Sequence, residues 1–172
     1  MFYQSAITMT SQRLQALIVL IDKVQFETRS NGTDESAILD ARLAPDMFPF
    51  SRQIQIATDN AKGMACRLAH REIPKYEDTE VTLDDLKARL QKTIDLLATF
   101  SEADFADAAT AEARFPYFPG VKMVGEGYLL SYALPNFFFH VVTAYDILRN
   151  AGYAVGKSDF MGGQVETLPD VA

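Results

Sequence analysis

A chain of 172 residues with 48% hydrophobic and 23% charged residues is the size of one globular domain, with enough apolar content for a core that needs no disulfide or metal staple. The net charge of −7 and pI near 4.8 exclude the basic footprint by which proteins hold nucleic-acid phosphates or anionic lipid. The amino end has no basic segment followed by an apolar one, and no run of about 18 uninterrupted apolar residues occurs, so a cytoplasmic location with no membrane span is expected.

From about Ala6 to Glu27, apolar residues recur as Ile7, Leu14, Leu17, Ile18, Ile21 and Val24, a helical stripe with Gln12, Arg13, Gln15, Asp22 and Lys23 outside it. A turn cluster at Arg29–Thr33 follows, and the Thr33–Ser36 segment predicts the cap of a short helix running through Ala41. Pro45 and Pro49 prevent a regular helix between them, yet Met47, Phe48 and Phe50 are apolar and are expected to pack onto the bundle. Helix two starts near Pro49, carries Ile54, Ala57, Ala61, Met64, Ala65 and Leu68 on one face, and stops before Pro74. Cys66 is the only cysteine and fits a small buried position there, while Gly63 marks a close approach or simple tolerance. His70, at the polar end of this helix, reads as a dipole-favoured, solvent-facing residue.

Thr82 predicts the N-cap of helix three, with Leu83, Leu86, Leu90, Ile94 and Leu97 as its stripe. Over 113–124 the period changes to alternation around Pro119-Gly120, which predicts a short hairpin confined by its prolines to edge pairing. The longest nearly uninterrupted apolar run, Leu129 to Gly152, then predicts a central helix, with Pro135 at its true start or at a kink. Its inward face is read as Leu130, Ala133, Phe137, His140, Val141, Ala144 and Leu148. Phe138, Phe139, Val142, Tyr145 and Ile147 make the opposite side apolar too, so the helix is expected to be covered on most of its circumference. Beyond it a docked segment through Phe160 and a loose tail over 164–172 are expected. Four long amphipathic segments, one long crossover and a small hairpin before the last helix define an all-α four-helix bundle of one domain, 1–163.

Few residues carry chemistry. Gly156-Lys157-Ser158 lacks the earlier glycine of a phosphate loop, since position 151 is alanine and a helix precedes it. The acidic residues form no paired motif, and no glycine-flanked serine elbow occurs. Asn136 and His140 remain: their i, i+4 spacing sets both on one inward helix face, either as a hydrogen-bonded core pair or as two walls of a pocket.

The string LPNFFFHVVTAYDILRNAG, the GKSDF that follows it and the APDMFPFSRQ segment ahead of helix two resemble the DinB/YfiT-like superfamily, in an uncharacterised branch built on a domain of unknown function. The resemblance covers nearly the whole chain and implies a DinB-like bundle. It also implies a divalent metal such as Ni, Zn or Mn, held by one histidine from the second helix and two at i, i+4 in the fourth, and in several members a thiol-transferase activity. Here His140 matches the last of these positions, Asn136 stands at the one before, and Gln53 occupies the second helix. Gln53, Asn136 and His140 are therefore expected to line a residual pocket, with Asp46 as a further carboxylate ligand beside His140 if a metal binds. Three functions follow as expectations: a small-molecule-binding or stress-related bundle with a degenerate metal site, a divalent-metal enzyme of the thiol-transferase kind, or a homodimeric interaction module using Phe138, Val142 and Tyr145.

Overall fold

The computed structural model describes residues 1–115 and 119–162. A π turn, Gln4–Met9, runs straight into α1 (Thr10–Asn31), so the first helix starts before Ala6 and outlasts Glu27. Its stripe of Leu14, Leu17, Leu20, Ile21 and Val24 is buried, and Gly32 ends it with φ of 66°, a left-handed value natural to glycine. The short α2 spans Glu35–Leu39, and its N-cap is Asp34, whose side chain accepts from the Ser36 amide.

Pro49, in an extended conformation, leads into α3 (Phe50–Leu68). Phe50 is fully buried as expected, but Phe48 is 55% exposed. Its ring lies beside the Arg52 guanidinium, and its carbonyl is turned inward to receive a side chain of α3. At Phe48 it is the backbone, not the ring, that docks. At the far end of α3 His70 is exposed with φ of 53°, and the Arg71 amide closes back on the Cys66 carbonyl. Cys66 is buried.

An extended crossover leads to α4 (Leu83–Leu97), which opens with a capping box between Thr82 and Asp85. Arg89 on α4, with a side chain 2% exposed, ties this crossover down. It pairs with Asp59 of α3 at 3.0 Å and with Asp78 and Glu80 of the crossover at 3.1 and 3.0 Å, and it donates to the Glu77 carbonyl and the Thr58 hydroxyl. A buried guanidinium is tolerable only with partners of this number and charge. The ring of Tyr76 lies beneath Arg89, Lys62 and Lys92, which fixes the middle of the crossover against the two helices.

Two 3-10 turns, Glu102–Phe105 and Ala108–Thr110, precede the hairpin of β1 (Glu112–Arg114) and β2 (Lys122–Val124), antiparallel with Ala113 opposite Met123. The strand pair begins and ends within a residue of the expected span. At its exit Gly125 has φ of 46°, and a Cβ there would lie 2.2 Å from the Ala109 carbonyl oxygen, so only glycine allows the chain to turn this close. The turn feeds α5 (Gly125–Tyr128), a π turn (Leu129–Ala133) and α6 (Leu134–Asn150), one helical path with Pro135 at the first turn of its regular part.

Helix α6 packs chiefly on α3, α3 also on α4, and α4 on α1, giving the four-helix bundle. Two expectations for α6 are corrected. Leu130 is 46% exposed, because the π turn widens the helix and rotates the residues ahead of Leu134 away from the extrapolated face. Phe139 and Val142 are also exposed, so α6 is not covered on most of its circumference; Phe138 and Tyr145 are half-buried and Ile147 is buried. Finally α7 (Lys157–Met161) docks on α1, where Arg13 donates to the Phe160 and Met161 carbonyls and Lys23 pairs with Asp159. The expected loose tail, 164–172, lies outside the described residues. No described helix is long and apolar enough to cross a membrane.

Candidate functional site

Two hydrogen bonds bridge α3 and α6, and they fix the helices as antiparallel neighbours. The first joins Gln53, in the opening turn of α3, to His140 in the middle of α6. Gln53 Nε2 donates to the Phe48 carbonyl at 3.0 Å, which turns its Oε1 toward α6. That oxygen lies 2.7 Å from His140 Nδ1. An amide oxygen can only accept, so the imidazole proton resides on Nδ1 and the lone pair on Nε2. Burial, with the nearby Arg52 charge adding to it, lowers the His140 pKa from 6.5 to about 4, and the ring is neutral at pH 7.

The second bridge lies one turn earlier on α6 and two turns later on α3. Asn136 Nδ2 donates to Asn60 Oδ1 at 3.0 Å. Asn60 Nδ2 is itself enclosed and has no hydrogen-bond partner among the described residues. Both asparagines line a cleft of about 500 Å³ whose walls are α3, the crossover residues 73–76 and the start of the α5–α6 helical path. Asn136 thus lines the cleft, whereas Gln53 and His140 do not; Arg52, which also lines it, is near enough to the imidazole for its charge to act there.

At the other end of the cleft Arg67 donates to the Tyr128 hydroxyl at 3.4 Å and lies 5.0 Å over the Phe115 ring. Its guanidinium folds back over Gly63, where an added Cβ would meet Nη1 at 2.5 Å. Asn60, Gly63 and Arg67 therefore form one stripe of α3, opposite Asn136, Tyr132 and Tyr128. The outer positions of the two stripes meet by hydrogen bonds. The middle position on α3 is glycine, and the space its missing side chain leaves is taken by the Arg67 guanidinium.

The metal implied by the resemblance can be tested against these donors. His140 keeps one free nitrogen, Nε2, but Gln53 Oε1 is engaged with Nδ1, and Asn136 turns to Asn60. Asp46 is exposed and makes no hydrogen bond or ion pair with either. No group of three His, Cys, Asp or Glu side chains able to hold a metal occurs among the described residues. One imidazole without a carboxylate or a second histidine does not fit a divalent centre of the three-ligand type.

Residues 2–161 match the family model described as a domain of unknown function, DUF1993. The chain belongs to the DUF1993 family. Its fold is similar to the crystal structure of a DinB family member protein from Shewanella denitrificans, with a TM-score of 0.91 and 37% identity over 97% of this chain and 95% of that one. The DUF1993 chain is thus a DinB-like bundle in a branch of unknown function. A search among curated proteins returned no match.

Asn60 and Arg67 are among the residues of this DUF1993 cleft that the sequence does not single out. Asn60 is seven positions after Gln53, two turns along the same helix, and that spacing against the Asn136/His140 pair was the available signal. Arg67 gave none, because a single arginine near a helix end looks like any solvated cation.

Proposed function

We propose that this DUF1993 chain binds a small molecule in the α3/α6 cleft through hydrogen-bonding and cationic side chains, in place of a three-histidine metal centre. The observation that carries this reading is the Asn60 Nδ2 group, enclosed in the cleft wall without a hydrogen-bond partner among the described residues. An unpaired buried N–H costs about 1–3 kcal/mol, and a ligand acceptor placed beside it recovers much of that. A cleft of about 500 Å³ is within the size range of small-molecule sites, and its aromatic and polar lining is of the kind that orients a ligand.

The test is a ligand-observed NMR screen of neutral carbonyl-bearing fragments, benzamide among them, on the wild type and on Asn60→Leu. Saturable binding that falls at least tenfold in the variant supports the reading. Failure of every fragment to bind, or binding indifferent to Asn60, overturns it. Metal analysis of untagged protein tests the other half: a stoichiometric, tightly held divalent ion would return the site to metal chemistry.

A further inference from the structure

The cleft reverses the sign of the protein around it. The chain carries a net charge of −7, yet the described lining of the cleft has four cations, Arg52, Lys62, Arg67 and Lys75, against one carboxylate, Asp59. Three of the four cations are already neutralised by carboxylates: Arg52 by Asp78, Lys62 by Asp59 at 2.7 Å, and Lys75 by Glu77 at 2.8 Å. Arg67 differs. No carboxylate among the described residues pairs with it, and its one hydrogen bond is the long contact with the Tyr128 hydroxyl. The guanidinium lies over the Phe115 ring, and its Nη1 occupies the space a side chain at Gly63 would take.

We infer that Arg67 is the recognition point for an anionic group, a carboxylate or a phosphate, on the ligand of this cleft, with Asn60 Nδ2 receiving a second, neutral acceptor of the same molecule. This rests on the reading of the cleft as a ligand site. A guanidinium offers a planar fork of donors that matches both oxyanions, and a pre-positioned one loses less side-chain freedom on binding. Asn60 and Arg67 lie on one helix face, and because the guanidinium folds back over Gly63 it sits about one turn, roughly 5 Å along the axis, from Asn60. That separation selects a compact molecule with its charge at one end and a carbonyl or hydroxyl acceptor at the other. Gly63 is part of the recognition, because any side chain there would displace the guanidinium.

Isothermal titration calorimetry at fixed ionic strength tests this with three probes: benzoate, its neutral analogue benzamide, and inorganic phosphate. Benzoate is expected to bind at least tenfold more tightly than benzamide. Arg67→Gln should reduce that preference to within twofold, and Gly63→Ala, which leaves the arginine present but moves it, should reduce it several-fold. Arg29→Gln, which removes an exposed cation outside the cleft that is paired with Asp84, should change it less than twofold. Phosphate that displaces benzoate extends the assignment to both oxyanions, and phosphate that does not narrows it to carboxylates. If benzamide binds through Asn60 but benzoate binds no better, or if Arg29→Gln matches Arg67→Gln, the anion assignment is overturned while the small-molecule reading stands. If neither probe binds, both fall.

Discussion

Asn136 gives its amide hydrogen to Asn60 Oδ1 at 3.0 Å, while the Asn60 amide nitrogen is enclosed and has no hydrogen-bond partner among the described residues. The pair is thus asymmetric. Removing Asn136 strips the acceptor side of Asn60 as well, so Asn136→Ala is expected to cost about 1–2 kcal/mol. Asn60→Ala also removes the orphaned N–H and should cost less, within about 1 kcal/mol. Urea denaturation of both single variants and the double variant gives the coupling directly, and a value near zero would mean the bridge does not form in solution.

Gln53 is held at both ends, by the Phe48 carbonyl and by His140. Gln53→Leu fills a similar volume but leaves a buried imidazole N–H and a carbonyl without partners, at a cost of about 1–3 kcal/mol. Gln53→Glu places a carboxylate against the ring and should raise the His140 titration above its wild-type midpoint, since an opposite charge favours the imidazolium. Histidine-selective NMR titration reads that shift.

The lowered pKa of His140 also makes stability depend on pH. Below about 6.5 the unfolded chain takes up a proton on this histidine, while the folded ring resists it until about 4. Between those values the unfolded state binds more protons, so stability falls as pH drops through the window, and at neutral pH the contribution is intact. The urea midpoint of the wild type should fall more between pH 7 and pH 5 than that of His140→Gln, which carries no titrating group. Equal falls would show that the ring is not held neutral.

Arg89 binds three carboxylates from a position 2% exposed, but Asp59 and Asp78 remain 39% and 38% exposed while Glu80 is 11% exposed. Truncating the arginine therefore strands one carboxylate rather than three. Arg89→Met is expected to cost about 3 kcal/mol, the low end for breaking a buried pair. Because its partners belong to the crossover, limited proteolysis should cut the variant within residues 72–81 well before the wild type.

The bundle, the hairpin and the start of α4 were legible because each has a local chemical cause. Leucine spacing marks the stripes of α1 and α4, Thr82 with Asp85 marks a cap, and the prolines with Gly120 mark the hairpin turn. Gln53, His140 and Asn136 were also identifiable as inward polar residues, but their partners were not. Which of two helix turns Asn136 meets on α3 depends on the offset between the helices, and no local pattern encodes that offset. Exposure of Phe139, Val142 and Leu130 was misread for a related reason: an apolar residue on a helix declares a preference for burial, while tertiary packing decides how many such residues find cover.

The π turn at Leu129–Ala133 has a consequence for how the cleft tolerates change. In a regular α-helix, residues spaced by four overrun a turn by about 40°, so Tyr128, Tyr132 and Asn136 would drift around the axis. The wider π turn absorbs much of that drift and keeps the three facing α3. It is also the shape a helix takes when it carries one residue more than a regular path needs. The cleft is therefore sensitive to the length of this segment as well as to its composition, and losing a single residue between Leu129 and Ala133 would turn the tyrosines away from Arg67 while leaving every residue of the polar stripes in the sequence.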